Sequence, residues 1–256
     1  MRYQGSKRRI TKNIVPIIQN FLDKEHYIYF EPFSGGCNVL KHIIANKKIG
    51  ADYNEYAISI WQELKNGTLI IPENITKEQY LDVKQSYLNK DNKYSKGTIG
   101  MTGFLASYGG RLWNGYANFN LKRNENHVKE ALNGLRKDWE YFKCKENTTF
   151  IHSDYSKLNI PENSSLIYCD PPYQGTLSYK ESGEGFDSDK FWDWCREQEN
   201  KNNIVLISEY NAPEDFVCIW QKEIPCGMNS EEGKIQSKRV EKLFIHKNRY
   251  NSLSLT

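Results

Sequence analysis

The run Ser165-Leu166-Ile167-Tyr168-Cys169 constrains the fold more than any other stretch. It is short, apolar and rich in β-formers, so it reads as a buried strand rather than a helix. It stops at Asp170, and Pro171-Pro172 cannot extend it because proline has no N–H for a ladder bond. Ile204-Val205-Leu206-Ile207-Ser208 reads as a second buried strand, after a helix over about 189–200. Near the start, helical spacing covers 9–22, and Tyr27 to Phe30 form a short strand that enters Glu31-Pro32-Phe33-Ser34-Gly35-Gly36. Val39, Leu40, Ile43 and Ile44 then have helical spacing. Ile49 to Asp52 read as a strand ending in an acid, and Ala57 to Leu64 as a helix. Strand, glycine turn, helix and strand make a β-α-β unit, which predicts the α/β class. Thr149 to Ile151, Val217 to Glu223 and Lys242 to His246 complete the expected strands.

Between about 66 and 147 the character changes to Lys, Asn and Tyr without a strong strand. Residues 76–90 and 125–143 look helical; the second set carries Leu132, Leu135, Trp139 and Phe142 on one face. Gly97 to Asn120 mixes glycines, asparagines and aromatics and reads as an irregular tip. The expected organisation is a sheet core from 1–65 and 148–256 with a mostly helical lobe inserted at 66–147. A length of 256 residues suffices for one α/β core plus such a lobe.

Composition narrows the function classes. With 38% apolar and 26% charged residues and no bilayer-length apolar run, the chain reads as soluble. The basic start, Met1 to Arg9, leads into no signal-type apolar core, so no export signal is read and the expected location is the cytoplasm. Cys37, Cys144, Cys169, Cys195, Cys218 and Cys226 show no metal-ligand spacing and read as reduced thiols. No metal is expected. The net charge of +3 neither requires nor excludes nucleic acid, so basic clusters must carry that argument. They are Lys7-Arg8-Arg9, Arg111, Lys122-Arg123 and Lys234 to Lys242, and each taken alone reads better as solvated surface; Lys238 and Arg239 are expected in a polar loop between late strands.

Two motifs carry chemistry. A strand ending in a glycine turn and opening a helix brings backbone close to a ligand and aims helix N–H groups at it, and an acid at the next strand's end suits a ribose diol. Phe33-Ser34-Gly35-Gly36-Cys37 and Asp52 fit that pattern. The dinucleotide fingerprint G-x-G-x-x-G is missing, which favours a nucleoside over a pyrophosphate and disfavours a nucleotide-dependent oxidoreductase. Asp170-Pro171-Pro172-Tyr173 is more specific. It follows a buried strand, where open α/β sheets bind ligands. The Asp170 carboxylate and a main-chain carbonyl offer two acceptors for the two hydrogens of an amine, and Tyr173 offers a face for a base.

With these residues in view, the sequence resembles the Dam-type (D12 class) adenine-N6 DNA methyltransferases. The resemblance runs through Tyr3-Gln4-Gly5-Ser6-Lys7, Phe30 to Gly36, Ala51-Asp52-Tyr53-Asn54, Trp113-Asn114-Gly115, Asp154-Tyr155 and Ile167 to Tyr173, in that family's order. It implies a Rossmann-like methyltransferase sheet with a helical target-recognition lobe, and S-adenosylmethionine as cofactor. It places Tyr3, Lys7, Pro32, Phe33, Ser34, Gly35, Asp52, Asp154, Tyr155 and Asp170 around that donor. Asp170, Pro171, Pro172 and Tyr173 would hold a flipped target base. Arg8, Arg111, Trp113, Asn114, Tyr116 and Asn118 would contact double-stranded DNA, with Trp113 as the wedge; Tyr116 suits lobe packing equally well. The protein would act as a monomer, or as a dimer on DNA, in restriction-modification, phage protection or genome maintenance. Two departures are visible. Cys37 replaces a small residue of the glycine turn, and Asn118 stands where GATC-reading relatives carry an arginine, with Arg111 upstream instead. Cytosine N4 and RNA or protein amines remain alternative acceptors, and a catalytically silent DNA-binding homologue is a further alternative.

Overall fold

A computed structural model describes residues 1–25, 28–117, 125–143, 146–173, 186–225 and 238–254. Its elements are α1 (Thr11–Glu25), β1 (Ile28–Glu31), β2 (Lys47–Asp52), α2 (Glu55–Lys65), α3 (Lys77–Asn89), α4 (Lys96–Leu105), α5 (His127–Lys143), β3 (Thr148–His152), β4 (Ser165–Cys169), α6 (Ser188–Asn200), β5 (Ile204–Glu209), β6 (Phe216–Pro225), β7 (Lys238–His246) and α7 (Lys247–Ser254). The seven strands form a sheet of order β3-β2-β1-β4-β5-β7-β6, so the fold is α/β as expected. None of the described helices is long and apolar enough to cross a membrane. Asn118, Lys122, Arg123, Cys144, Cys226 and residues 174–185 of the expected loop lie outside the described residues.

The chain forms two compact units. The first comprises 1–19 and 31–158. Here β2 and β3 pair in parallel, with Asp52 beside His152. Trp61 of α2 is fully buried and packs on Phe142 (5.3 Å) and Phe150 (5.9 Å), tying α5 and β3 to the same core. Helix α2 starts at Asn54, whose side chain accepts from Ala57 N at 3.1 Å, and α3 starts at a Thr76/Gln79 capping box.

Two expectations in this unit are corrected. Gly97 to Leu105 are helical rather than irregular, because the glycines at 97, 100 and 103 act as contact points and not as breakers. A Cβ on Gly100 would sit 2.2 Å from the Tyr56 carbonyl oxygen, so only glycine lets α4 lie this close to α2. Helix formation pays the usual glycine penalty and gains close packing. After the glycine turn, only a 3-10 turn forms at Leu40–His42; Ile43 is already extended and β2 begins at Lys47. Too little chain remains for the expected helix, and the helix-terminus argument for ligand binding falls with it.

The second unit comprises 20–30 and 159–256. β4 pairs in parallel with β1 and β5, and every β4 residue is buried. β7 runs antiparallel between β5 and β6. It starts at Lys238, which corrects the expectation that Lys238 and Arg239 lie in a loop. Alternating Arg239, Glu241 and Leu243 hid the strand's first half from a search for apolar runs. Helix α7, unforeseen, is mostly polar, with only Tyr250 and Leu253 apolar, and lacks a periodic apolar signal.

Candidate active site

In the first unit Tyr3, Asp52 and Tyr155, of the expected donor residues, meet the turn after β1. Gly35 has φ +45°, and a Cβ there would lie 2.8 Å from the Tyr3 ring, so glycine is required twice over. Gly36 is equally confined, between Asn38, the Met1 carbonyl and Tyr3. Tyr3 packs its ring on Phe104 at 5.1 Å, and Gln4 N donates to Gly110 O at 3.2 Å, which ties the N-terminal segment to the lobe. The turn is fastened to β2 by Ser34 N donating to Ala51 O at 2.9 Å.

Asp52 organises this turn. Its Oδ2 accepts from Gly35 N at 2.7 Å and its Oδ1 from Asn54 N at 2.8 Å. The side chain is only half buried. Phe33 and Tyr155 face each other at 5.3 Å, both half exposed. Asp154 caps the 3-10 turn that carries Tyr155 by accepting from Ser156 N at 2.9 Å. The Ser34 hydroxyl is buried beside the Cys37 thiol and makes no hydrogen bond of ordinary geometry. Lys7 is buried, whereas Arg8 is exposed. Pro32 follows β1 directly. A half-exposed aromatic pair, a half-buried acid bonded to the backbone of the glycine turn and a buried hydroxyl in that turn suit an adenine nucleoside with a polar tail.

The expected DNA-contacting residues divide. Arg111 and Asn114 are exposed. Trp113 is half buried, with its ring 5.3 Å from Tyr80 and 5.5 Å from Tyr87. The Tyr116 hydroxyl donates to Ile75 O at 2.7 Å, so it serves the packing of its own lobe.

In the second unit, Asp170 follows β4 directly and is half buried, Pro171 is buried, and Pro172 and Tyr173 are half buried. The Tyr173 hydroxyl donates to Glu241 Oε2 at 2.9 Å, and its ring meets Tyr210 edge-to-face at 4.4 Å. Burial, with Asp170 and Glu241 nearby, pushes the Tyr173 phenol well above its ordinary pKa, so the ring stays neutral. Burial likewise raises the thiols of Cys37 and Cys195, which therefore make poor nucleophiles. Tyr210 and Glu241 were missed from sequence. Tyr210 directly follows β5, as Asp170 follows β4, and that position was a usable signal. Glu241 sits in a charged, alternating strand and gave none.

Comparison with known proteins places the chain in a family. Residues 3–211 match the family described as D12 class N6 adenine-specific DNA methyltransferase. The type II methyltransferase M1.LlaDCHI of Lactococcus lactis subsp. cremoris is 22% identical over 83% of this chain and 81% of its own. The type II methyltransferase M.FokI of Planomicrobium okeanokoites is 25% identical over 80% of this chain, which spans only 33% of that relative. A DNA adenine methylase of Vibrio cholerae is 26% identical over 68% of this chain and 64% of its own. Among solved structures, an rRNA methylase from Streptococcus thermophilus aligns over 91% of this chain and 96% of its own, at 10% identity and TM-score 0.33.

Proposed function

The chain belongs to the D12 class N6 adenine-specific DNA methyltransferase family, and from that premise we propose that it methylates N6 of adenine in double-stranded DNA. The observation that carries the reading is Asp170-Pro171-Pro172-Tyr173 at the carboxyl end of the buried strand β4.

The first unit is the donor site. Asp52 takes the ribose hydroxyls, Phe33 and Tyr155 flank the adenine, and Pro32 to Gly35 with Tyr3, Lys7 and Asp154 enclose the rest. Bound there, S-adenosylmethionine supplies an electrophilic sulfonium methyl.

The acceptor is a weak nucleophile, because its lone pair is delocalised into the purine ring. The Asp170 carboxylate accepts one amine hydrogen and the Pro171 carbonyl accepts the other. That pairing favours a pyramidal nitrogen and directs its lone pair, so catalysis is positioning with electrostatic help. The surplus amine proton leaves by way of Asp170 as the N–C bond forms and the methyl–sulfur bond breaks, the electron pair of that bond staying on the donor's sulfur, which departs as a neutral thioether. Two prolines keep the backbone carbonyls from turning into a ladder. The base must leave the helix to be reached, at a cost of a few kcal/mol, which stacking on Tyr173 offsets in part.

The lobe at 66–147 is the DNA-reading part. Arg8 and Arg111 meet phosphate or base edges, and Asn114 and Asn118 suit base edges. Trp113 fills the gap left by the base only after leaving Tyr80 and Tyr87; Tyr116 contributes by holding the lobe. The donor motif, recognition lobe and Asp170 motif follow one another in chain order. The enzyme acts on DNA as a monomer in this reading. The test is incubation with radiolabelled donor and unmethylated DNA, followed by nucleoside analysis. N6-methyldeoxyadenosine is the expected product, and label in cytosine or in no nucleoside rejects the reading.

A further inference from the structure

Two tyrosines from separate segments of the second unit are held by one face of one strand. Tyr173 follows β4 by four residues and Tyr210 follows β5 by one. Tyr173 donates to Glu241 at 2.9 Å, and Arg239 Nη1 donates to the Tyr210 hydroxyl at 3.2 Å. Arg239 and Glu241 stand two residues apart on β7, so their side chains share a face. The antiparallel register explains the meeting. Glu209 stands opposite Lys242, which carries the next residue, Tyr210, alongside Glu241. The rings then close on each other edge-to-face at 4.4 Å, a favoured geometry for an aromatic pair.

Such a strand face is an expensive place for a carboxyl group. Glu241 is 6% exposed, and a buried carboxyl is tolerated only where it is hydrogen-bonded or paired. Lys222 of β6 faces it across the ladder, which offsets part of that cost. An apolar residue would pack here at less cost, yet would leave the Tyr173 hydroxyl without this acceptor. The Tyr173 ring has two soft torsions. Its hydroxyl bond to Glu241 and its edge contact with Tyr210 restrict both.

We propose that Glu241 and Tyr210 are positioning residues of the methyl-transfer reaction, which fix the plane of Tyr173 against which the target base is stacked. Arg239 supports Tyr210 from the same strand face. The assignment rests on the proposed amine methylation. It adds that the catalytic tetrapeptide is aligned by a strand more than sixty residues later in the chain.

The test compares Glu241→Ala, Glu241→Gln and Tyr210→Ala with the wild-type protein. Unmethylated plasmid DNA and labelled S-adenosylmethionine are the probes. Turnover, KM for each substrate, donor affinity by calorimetry and thermal midpoint are measured. Glu241→Gln keeps a carbonyl oxygen for the Tyr173 hydroxyl and is expected to stay within about threefold of wild-type kcat, whereas Glu241→Ala and Tyr210→Ala lose about tenfold or more through misorientation. Donor affinity and donor KM are expected to stay unchanged, because neither Glu241 nor Tyr210 is among the donor residues, which apart from Asp170 belong to the other unit. Wild-type kcat in Glu241→Ala would overturn the assignment. So would Glu241→Gln as impaired as Glu241→Ala, or kcat losses that follow only the thermal midpoint. A wild-type protein that labels no DNA rejects the underlying activity instead, and the two failures are thereby separated.

Discussion

Asp52→Asn probes the organisation of the donor turn. The carboxylate accepts from Gly35 N at 2.7 Å through one oxygen and from Asn54 N at 2.8 Å through the other. Asparagine has one acceptor oxygen and one donor amide in the same shape. Whichever way it is turned, its amide nitrogen faces a backbone N–H, so one of the two bonds becomes a donor–donor contact. A hydrogen bond to a charged group contributes about 1.5–3 kcal/mol net, and the half exposure of the site puts the loss toward the lower end. Unfolding free energy is therefore expected to fall by roughly 2 kcal/mol. Gly35 is held at φ +45° and loses a fastening, so the donor turn loosens as well. Urea denaturation monitored by tryptophan fluorescence measures the first effect, and calorimetric titration with S-adenosylmethionine the second. Donor affinity is expected to drop at least about tenfold, since the ribose also loses an acceptor. An Asp52→Asn protein with the wild-type urea midpoint and wild-type donor affinity would refute both the role of the two bonds and the assignment of the site.

Three further outcomes follow from the packing and the buried groups. Gly100→Ala drives a methyl group to within 2.2 Å of the Tyr56 carbonyl, so it should cost about 1–3 kcal/mol by urea denaturation even though alanine is the better helix former. Glu199 is raised from about 4.5 to about 7 because burial outweighs the opposing Val205 N–H and Arg249. The folded protein thus holds a proton that the unfolded chain gives up above about pH 4.5, and the stabilisation is complete below that pH and lost as pH rises through 7. Denaturation midpoints should decline across this window, by up to roughly 3 kcal/mol, and Glu199→Gln should flatten the decline. Finally, mass spectrometry after brief iodoacetamide treatment of the native protein should find Cys218 modified and Cys37, Cys169 and Cys195 protected, as their burial requires.

Much of the core was legible because apolar runs and turn chemistry agree there. Ser165 to Cys169 and Ile204 to Ser208 are strands for the reason that their composition suggests, and the Pro171-Pro172 stop lies at the strand's end. Residues that work through partners distant in sequence were harder to read. Gly97 and Gly100 look like loop formers until α2 is laid against them, and Gly103 until Leu112 and Trp113 are. Arg239 and Glu241 look like loop charges until β7 is paired with β5 and β6. The donor residues were legible as short motifs, but the double fastening of Gly35 and Asn54 by Asp52 depends on three-dimensional placement. The half-buried stacking of Trp113 on Tyr80 and Tyr87 depends on it too, and no local pattern announces it.

The account's central claim is that Asp170 holds and deprotonates an adenine amine. It is tested most directly by comparing wild type with Asp170→Ala in a single-turnover assay on unmethylated DNA with labelled donor. Hydrolysis to nucleosides should yield N6-methyldeoxyadenosine from the wild type and no label from the variant, while the variant still binds DNA and donor. Undiminished methyl transfer by Asp170→Ala, or label recovered only in cytosine, would contradict it.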